Sequence, residues 1–221
     1  MPADSDTLNP FNDAATAPLA TRERLAIQLR QHLTDPVGYG AALLRGREHI
    51  GKSCQLRQFR RESQDISFGV MIPLAEITFT DEDDLLTRIA EATAQHIVDY
   101  GYVTVDTVLL PENAPPDDDG PTPSCREWLR DAVLPQCIRY IRNQRRLVWM
   151  FDDVDVLIDA ITNERIPADL PAYLADLLSP QLAMVMTRDL RDEDHIDFLR
   201  PLVKDAGVYR LSTLTQAEVS V

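Results

Sequence analysis

An α/β fold with a mainly parallel five-stranded sheet is predicted by three observations. Short apolar runs at 41–44, 66–74, 147–151, 182–186 and 208–211 alternate with segments of helical periodicity, the pattern that βαβ crossovers leave in a sequence. The first run leads through Gly46-Arg47-Glu48-His49-Ile50-Gly51-Lys52-Ser53 directly into a helical segment. The third run, LVWMF, is apolar without interruption, as a central strand covered on both faces must be, and it ends in Asp152-Asp153. Both motifs should then meet at the carboxyl ends of the strands, where open parallel sheets bind ligands.

Each element has its own signals. Residues 1–20 read as a flexible leader, since 1–16 are polar, rich in Pro, Asp and Asn, and without periodicity. Thr21 can cap a helix running to about Leu33, with Leu25, Ala26, Leu29 and Leu33 as its stripe, and Asp35-Pro36 and Gly38 break it. The helix after the first strand spans 52–61 and turns Leu56 and Phe59 to one face. Pro73 marks the end of the strand at 66–74.

Thr80 or Asp81 caps a long helix with Leu85, Leu86, Ile89, Ala90 and Ile97 on one side, and Thr93 is the polar interruption of that stripe. Its acidic first turn, 81–84, suits the positive end of the helix dipole and needs no metal to explain it. Residues 102–110 are ambiguous between strand and irregular extension, and 111–123, PENAPPDDDGPTP, is a solvent-exposed insertion. Ser124-x-x-Glu127 is a capping box for a helix to about 142, with Trp128, Leu129, Ala132 and Ile141 inward and Pro135 kinking it. A short amphipathic helix at 170–178 and a helical pattern at 192–203 flank the run at 182–186. The motifs need one another, so 21–217 is a single domain interrupted by the insertion.

Composition narrows the class. A hydrophobic fraction of 44% and a charged fraction of 26% are those of a globular protein with a real core. A net charge of −14 argues against a sequence-independent grip on nucleic acid by this domain alone, because that grip needs clustered Lys and Arg. The stretches holding Arg57, Arg60, Arg61 and Arg139, Arg142, Arg145, Arg146 read as solvated helix faces or a partner surface. MPADSDTLNP lacks the basic start and apolar core of a secretory signal, and no run approaches a membrane span. Cys54, Cys125 and Cys137 have neither metal-site nor redox spacing and read as reduced, mostly buried thiols, so a cytoplasmic location is expected. Cys54 alone lies beside the chemistry.

That chemistry begins with the octapeptide, which satisfies G-x-x-x-x-G-K-S, the phosphate-binding P-loop or Walker A motif. Its two glycines permit a tight turn that aims successive N–H groups at a β-phosphate. Lys52 brings a positive charge toward the β- and γ-phosphates, Ser53 offers a hydroxyl to Mg²⁺, and the following helix points its positive end at the anion. Gly46, His49, Ile50, Gly51, Lys52, Ser53 and Cys54 are the candidate cradle, with His49 standing where many such loops carry a further glycine. At the end of LVWMF, Asp152 is suited to the metal shell and Asp153 to orienting or deprotonating an attacking water, a Walker B arrangement.

GREHIGKS, LVWMFDDVD, LAMVMTRD and YRLSTLT, in that order, resemble the successive motifs of the AAA+ and STAND classes of P-loop ATPases, over about 21–217. Signalling ATPases of the NB-ARC type are especially similar, and Asp155 also fits the Asp-Asp/Glu-x-Asp run of origin-binding and loader-type AAA+ proteins. The resemblance implies a P-loop NTPase three-layer sandwich with strand order 5-1-4-3-2, binding ATP and Mg²⁺. By it, Thr187 is the polar sensor at a strand end and Arg188 reaches a γ-phosphate, unless Arg188 pairs with a local carboxylate such as Asp189 or Asp192.

Two departures bear on activity. Asp153 stands where vigorous AAA+ motors have glutamate, which suits slow hydrolysis, and 218–221 is where a helical lid should begin, so the lid is expected to be missing or truncated. No N-K-x-D follows an apolar strand, which disfavours guanine. The expectation is a slowly hydrolysing ATPase switch or assembly module with a protein partner or self-assembly. The alternatives are a nucleotide-holding scaffold and a loader that touches nucleic acid through regions outside this chain.

Overall fold

The computed structural model describes residues 19–20, 22–34, 41–104, 109–110, 123–141, 145–190, 196–203 and 207–211. The expected features at 1–18, Thr21, 35–38, 105–108, 111–122, Asp192 and 218–221 lie outside these residues. Among the described residues six strands are all parallel: β1 (Leu19–Ala20), β2 (Ala41–Gly46), β3 (Ser67–Pro73), β4 (Arg146–Asp152), β5 (Leu182–Asp189) and β6 (Gly207–Leu211). Their order across the sheet is β1-β6-β2-β5-β4-β3. Numbered from the loop-bearing β2, the five main strands run 5-1-4-3-2, as expected. The addition is β1, two residues of the expected leader that pair with Arg210 and Leu211 at the edge.

Strand alternation divides the core into two layers of side chains. Ala42 and Leu44 of β2, Val148 and Met150 of β4, and Ala183 and Val185 of β5 face α1 (Arg22–Thr34) and α2 (Lys52–Glu62), which contribute Leu25, Leu29, Leu33, Leu56 and Phe59. The alternate residues, including Leu43, Trp149, Phe151, Met184 and Met186, face a larger cluster. There they meet α3 (Glu82–Asp99), α4 (Cys125–Glu127), α5 (Leu134–Tyr140), α6 (Asp155–Thr162), α7 (Leu170–Asp176) and α8 (Arg200–Val203). The result is the expected three-layer sandwich.

Caps set the helix ends as the sequence implies. Asp81 accepts from the Asp84 N–H at 3.0 Å to start α3, and Ser124 and Glu127 form the full capping box of α4. Between α4 and α5 the chain makes a π-helical turn, Trp128–Val133, so Pro135 is accommodated by a local widening. That turn shifts the buried face: Leu129 and Ile141 are inside as expected, but Val133, Leu134 and Cys137 replace Trp128 and Ala132, which are half-buried. Burial pushes the Cys137 thiol up to about 12, whereas Cys54 is exposed, not buried as expected of the thiols. Among the described residues no helix is long and apolar enough to cross a membrane.

Candidate functional site

The β2–α2 junction is built by two glycines. Gly46 closes β2 where an added Cβ would sit 2.7 Å from Ile50 Cγ2 and 3.2 Å from Leu211 Cβ, so a side chain there would displace the loop. Gly51 has φ 93°, ψ 30°, the left-handed region that favours glycine, and is the N-cap of α2. It offers no side-chain cap, and no acidic residue sits in the first turn of α2. The positive end of an 11-residue helix is therefore presented to the cleft without an acidic cap of its own. His49 also has positive φ, 59°, and its exposed ring lies 3.4 Å from Glu48. The missing third glycine is thus replaced by a histidine in a glycine-like conformation.

A cleft of about 480 Å³ opens over this junction, lined by His49, Gly51, Lys52, Ser53, Cys54 and Asp153 together with Ala75, Asp155, Asp159 and Asp189. A slightly larger hollow of about 540 Å³ beside Asp81 and Arg165 contains none of the motif residues. Five of the cradle residues expected from the sequence line the cleft; Gly46 and Ile50 lie behind it, packed on each other. Lys52 is only 6% exposed, and its ammonium donates to Asp189 and, at 3.2 Å, to the Arg47 carbonyl.

The ends of β4 and β5 are joined by side chains. Thr187, fully buried, donates its hydroxyl to Asp152 Oδ1 at 2.6 Å and accepts from the Asp153 N–H at 2.9 Å. By strand parity Asp152 and Thr187 share the α2 face with Val148 and Val185. Asp153 turns away from the strand at φ 60°, toward the cleft. Burial raises its carboxyl above the ordinary range and the Asp152 charge adds to this, while Lys52 opposes and Asp189 and Asp155 push further up.

Arg188 is placed differently from the arm expected to reach a γ-phosphate. It shares the opposite face with Met184 and Met186, is 2% exposed, and its Nε donates to Asp155 Oδ1 at 3.2 Å. Among the described residues the local carboxylate it meets is Asp155, and Asp192 lies outside those residues. Asp155 Oδ2 also accepts the Asp189 N–H at 2.8 Å, so one carboxylate at the start of α6 holds two consecutive residues of β5. The sequence marks Asp189 only as a partner for Arg188. The available signal was topological: strand order 5-1-4-3-2 puts the end of this strand next to the glycine loop.

No protein-family model matches the chain, and no curated protein matches it. Solved structures do. The Walker-type ATPase PABY2304 of Pyrococcus abyssi superimposes with TM-score 0.58 at 18% identity, over 90% of this chain and 55% of that one. Cdc6p from Pyrobaculum aerophilum gives 0.52 at 18% identity over 94% and 50%, and the Orc1 protein of Aeropyrum pernix, in complex with DNA, gives 0.51 at 17% over 94% and 49%. The chain thus has the fold of these structures and spans about half the length of each.

Proposed function

We propose that this chain is an ATP-binding P-loop ATPase domain that hydrolyses slowly and acts as a nucleotide-dependent switch or assembly module. The observation that carries the proposal is the β2–α2 junction: a left-handed glycine N-cap, an uncapped helix start and a single nearly buried lysine, all opening into one cleft. That donor set fits a polyphosphate. Lys52 and the first N–H groups of α2 would hold the phosphates, and Ser53 and Asp152 would hold Mg²⁺. Bound Mg²⁺–ATP supplies the phosphoanhydride and the charge that polarises it.

The remaining work falls to the protein. Thr187 orients the Asp152 carboxylate, and Asp153 orients the attacking water or takes its proton. Arg188 acts through Asp155 as a positioning residue for the end of β5. A nucleotide-holding scaffold with negligible turnover is the second reading, favoured by the short reach of Asp153. A neighbour described in complex with DNA keeps a loader role open for a longer protein, with DNA contacts supplied outside this chain.

Isothermal titration with Mg²⁺–ATP tests the central assignment. Lys52→Ala should abolish binding or weaken it by a few kcal/mol, as expected for losing one desolvated charge-to-phosphate contact. Equal affinity in the parent and the variant would sink the proposal.

A further inference from the structure

We propose that Asp189 is an internal competitor for the nucleotide phosphate: its carboxylate holds Lys52, and phosphate binds by exchanging one anion for the other. The inference rests on the reading of the cleft as a phosphate site and adds how that site is regulated.

Four observations support it. The Lys52–Asp189 ion pair lies across the cleft, with the two side chains 7% and 23% exposed, so solvent screens it little. The fold aims Asp189 at this position. Its N–H is held by Asp155, the next residue donates from Leu190 N to Gly46 O at 2.9 Å, and Asp189 pairs in register with Gly46 of the glycine loop. The backbone that carries the carboxylate is therefore fixed to the loop that carries the lysine. Third, Lys52 and Lys204 are the only lysines in a chain that otherwise uses arginine for its positive charge. A compact ammonium on a flexible stem can change partners, whereas a guanidinium fork commits to one planar carboxylate. Fourth, Asp153, Asp155 and Asp159 line the same cleft, so an Asp189 released from Lys52 adds to an already acidic wall. The exchange is thereby uphill until a phosphate and its divalent cation arrive together.

The latch lowers apparent affinity by the fraction of molecules in which Lys52 is released. ATP and ADP should be penalised alike, because Lys52 is contested before either nucleotide is in place. Asp189→Asn removes the competing charge while keeping the shape of the side chain. It should tighten Mg²⁺–ATP and Mg²⁺–ADP by about tenfold each, equivalent to ~1.4 kcal/mol.

Titrations of both nucleotides into the parent chain, Asp189→Asn, Asp159→Asn and Lys52→Ala test this. Asp159 is in the same wall, so an equal gain from Asp159→Asn would show a general field effect and overturn the latch. Binding that requires Lys52 but is not tightened by Asp189→Asn overturns the latch and leaves the phosphate site standing. No binding by the parent or any variant overturns both readings. A second measurement needs no nucleotide: mass-spectrometric acylation rates of Lys52, referenced to Lys204, should rise in Asp189→Asn. An unchanged rate would show that Asp189 does not hold the ammonium in solution, and the proposal falls.

Discussion

Asp153 joins two properties that rarely coincide, a left-handed backbone at φ 60° and a carboxyl raised by burial and by the neighbouring Asp152. Asp and Asn tolerate that backbone better than most residues, so Asp153→Asn should keep the turn and the N–H bond to Thr187. The sign of the pH effect follows. A carboxyl whose folded pKa lies above its unfolded pKa binds its proton more tightly when folded, so ionisation costs stability above the folded pKa. That cost disappears below the unfolded value. Asp153→Asn should therefore melt higher than the parent at neutral pH, with the gap closing as pH falls through the raised pKa. A gap independent of pH would show that charge is not the cause. In the same variant, nucleotide binding should persist while single-turnover hydrolysis drops. Asp152→Asn should instead weaken Mg²⁺-dependent binding, and unchanged turnover in both would remove the Walker B assignment.

Elements are tied together at a few polar points inside the sandwich, and Thr93 shows how. It interrupts the apolar stripe of α3 because its hydroxyl accepts the Trp149 indole N–H from β4 at 3.0 Å and donates to the Ile89 carbonyl at 2.7 Å. Thr93→Val keeps the volume but leaves the indole N–H buried without an acceptor. It should cost about 1–3 kcal/mol in chemical denaturation, with Thr93→Ser recovering most of the loss. The interruption was readable in the sequence, but its cause was not, because a pattern along one helix does not name the strand it touches. Strand ends show the same boundary. The apolar run 182–186 ends before Thr187-Arg188-Asp189, yet β5 includes all three, paired with Leu44, Arg45 and Gly46. An apolar run measures burial, whereas pairing sets the strand. The glycine loop was legible because its residues are contiguous; the Lys52–Asp189 pair was not, since 137 positions separate its members.

Across the whole molecule, charge and arginine usage argue against duplex DNA as a direct ligand of this chain. Non-specific grip on DNA needs several free cations along one surface, each releasing counterions from the phosphates. Here the net charge is −14, and three arginines of the two arginine-rich stretches, Arg60, Arg145 and Arg146, are drawn into the fold. Arg60 Nη1 lies 3.3 Å from His96 Nε2. Arg145 donates to the Gln64 carbonyl at 2.7 Å and sits 5.3 Å over the Tyr102 ring. Arg146 donates to the Leu33 and Ser179 carbonyls at 2.9 and 2.5 Å, fastening the end of α1 to the start of β5. These are contacts within the domain, whereas Arg57, Arg61 and Arg139 keep the exposure that the sequence suggested. Fluorescence anisotropy with a labelled duplex at about 0.15 M salt should therefore give no saturable binding at micromolar protein, the range where non-specific DNA-binding proteins already bind. ATP turnover should be equally indifferent to added duplex. Micromolar binding that falls steeply as salt is raised would show a basic surface that net charge conceals, and would move DNA from a partner of some longer protein to a ligand of this domain.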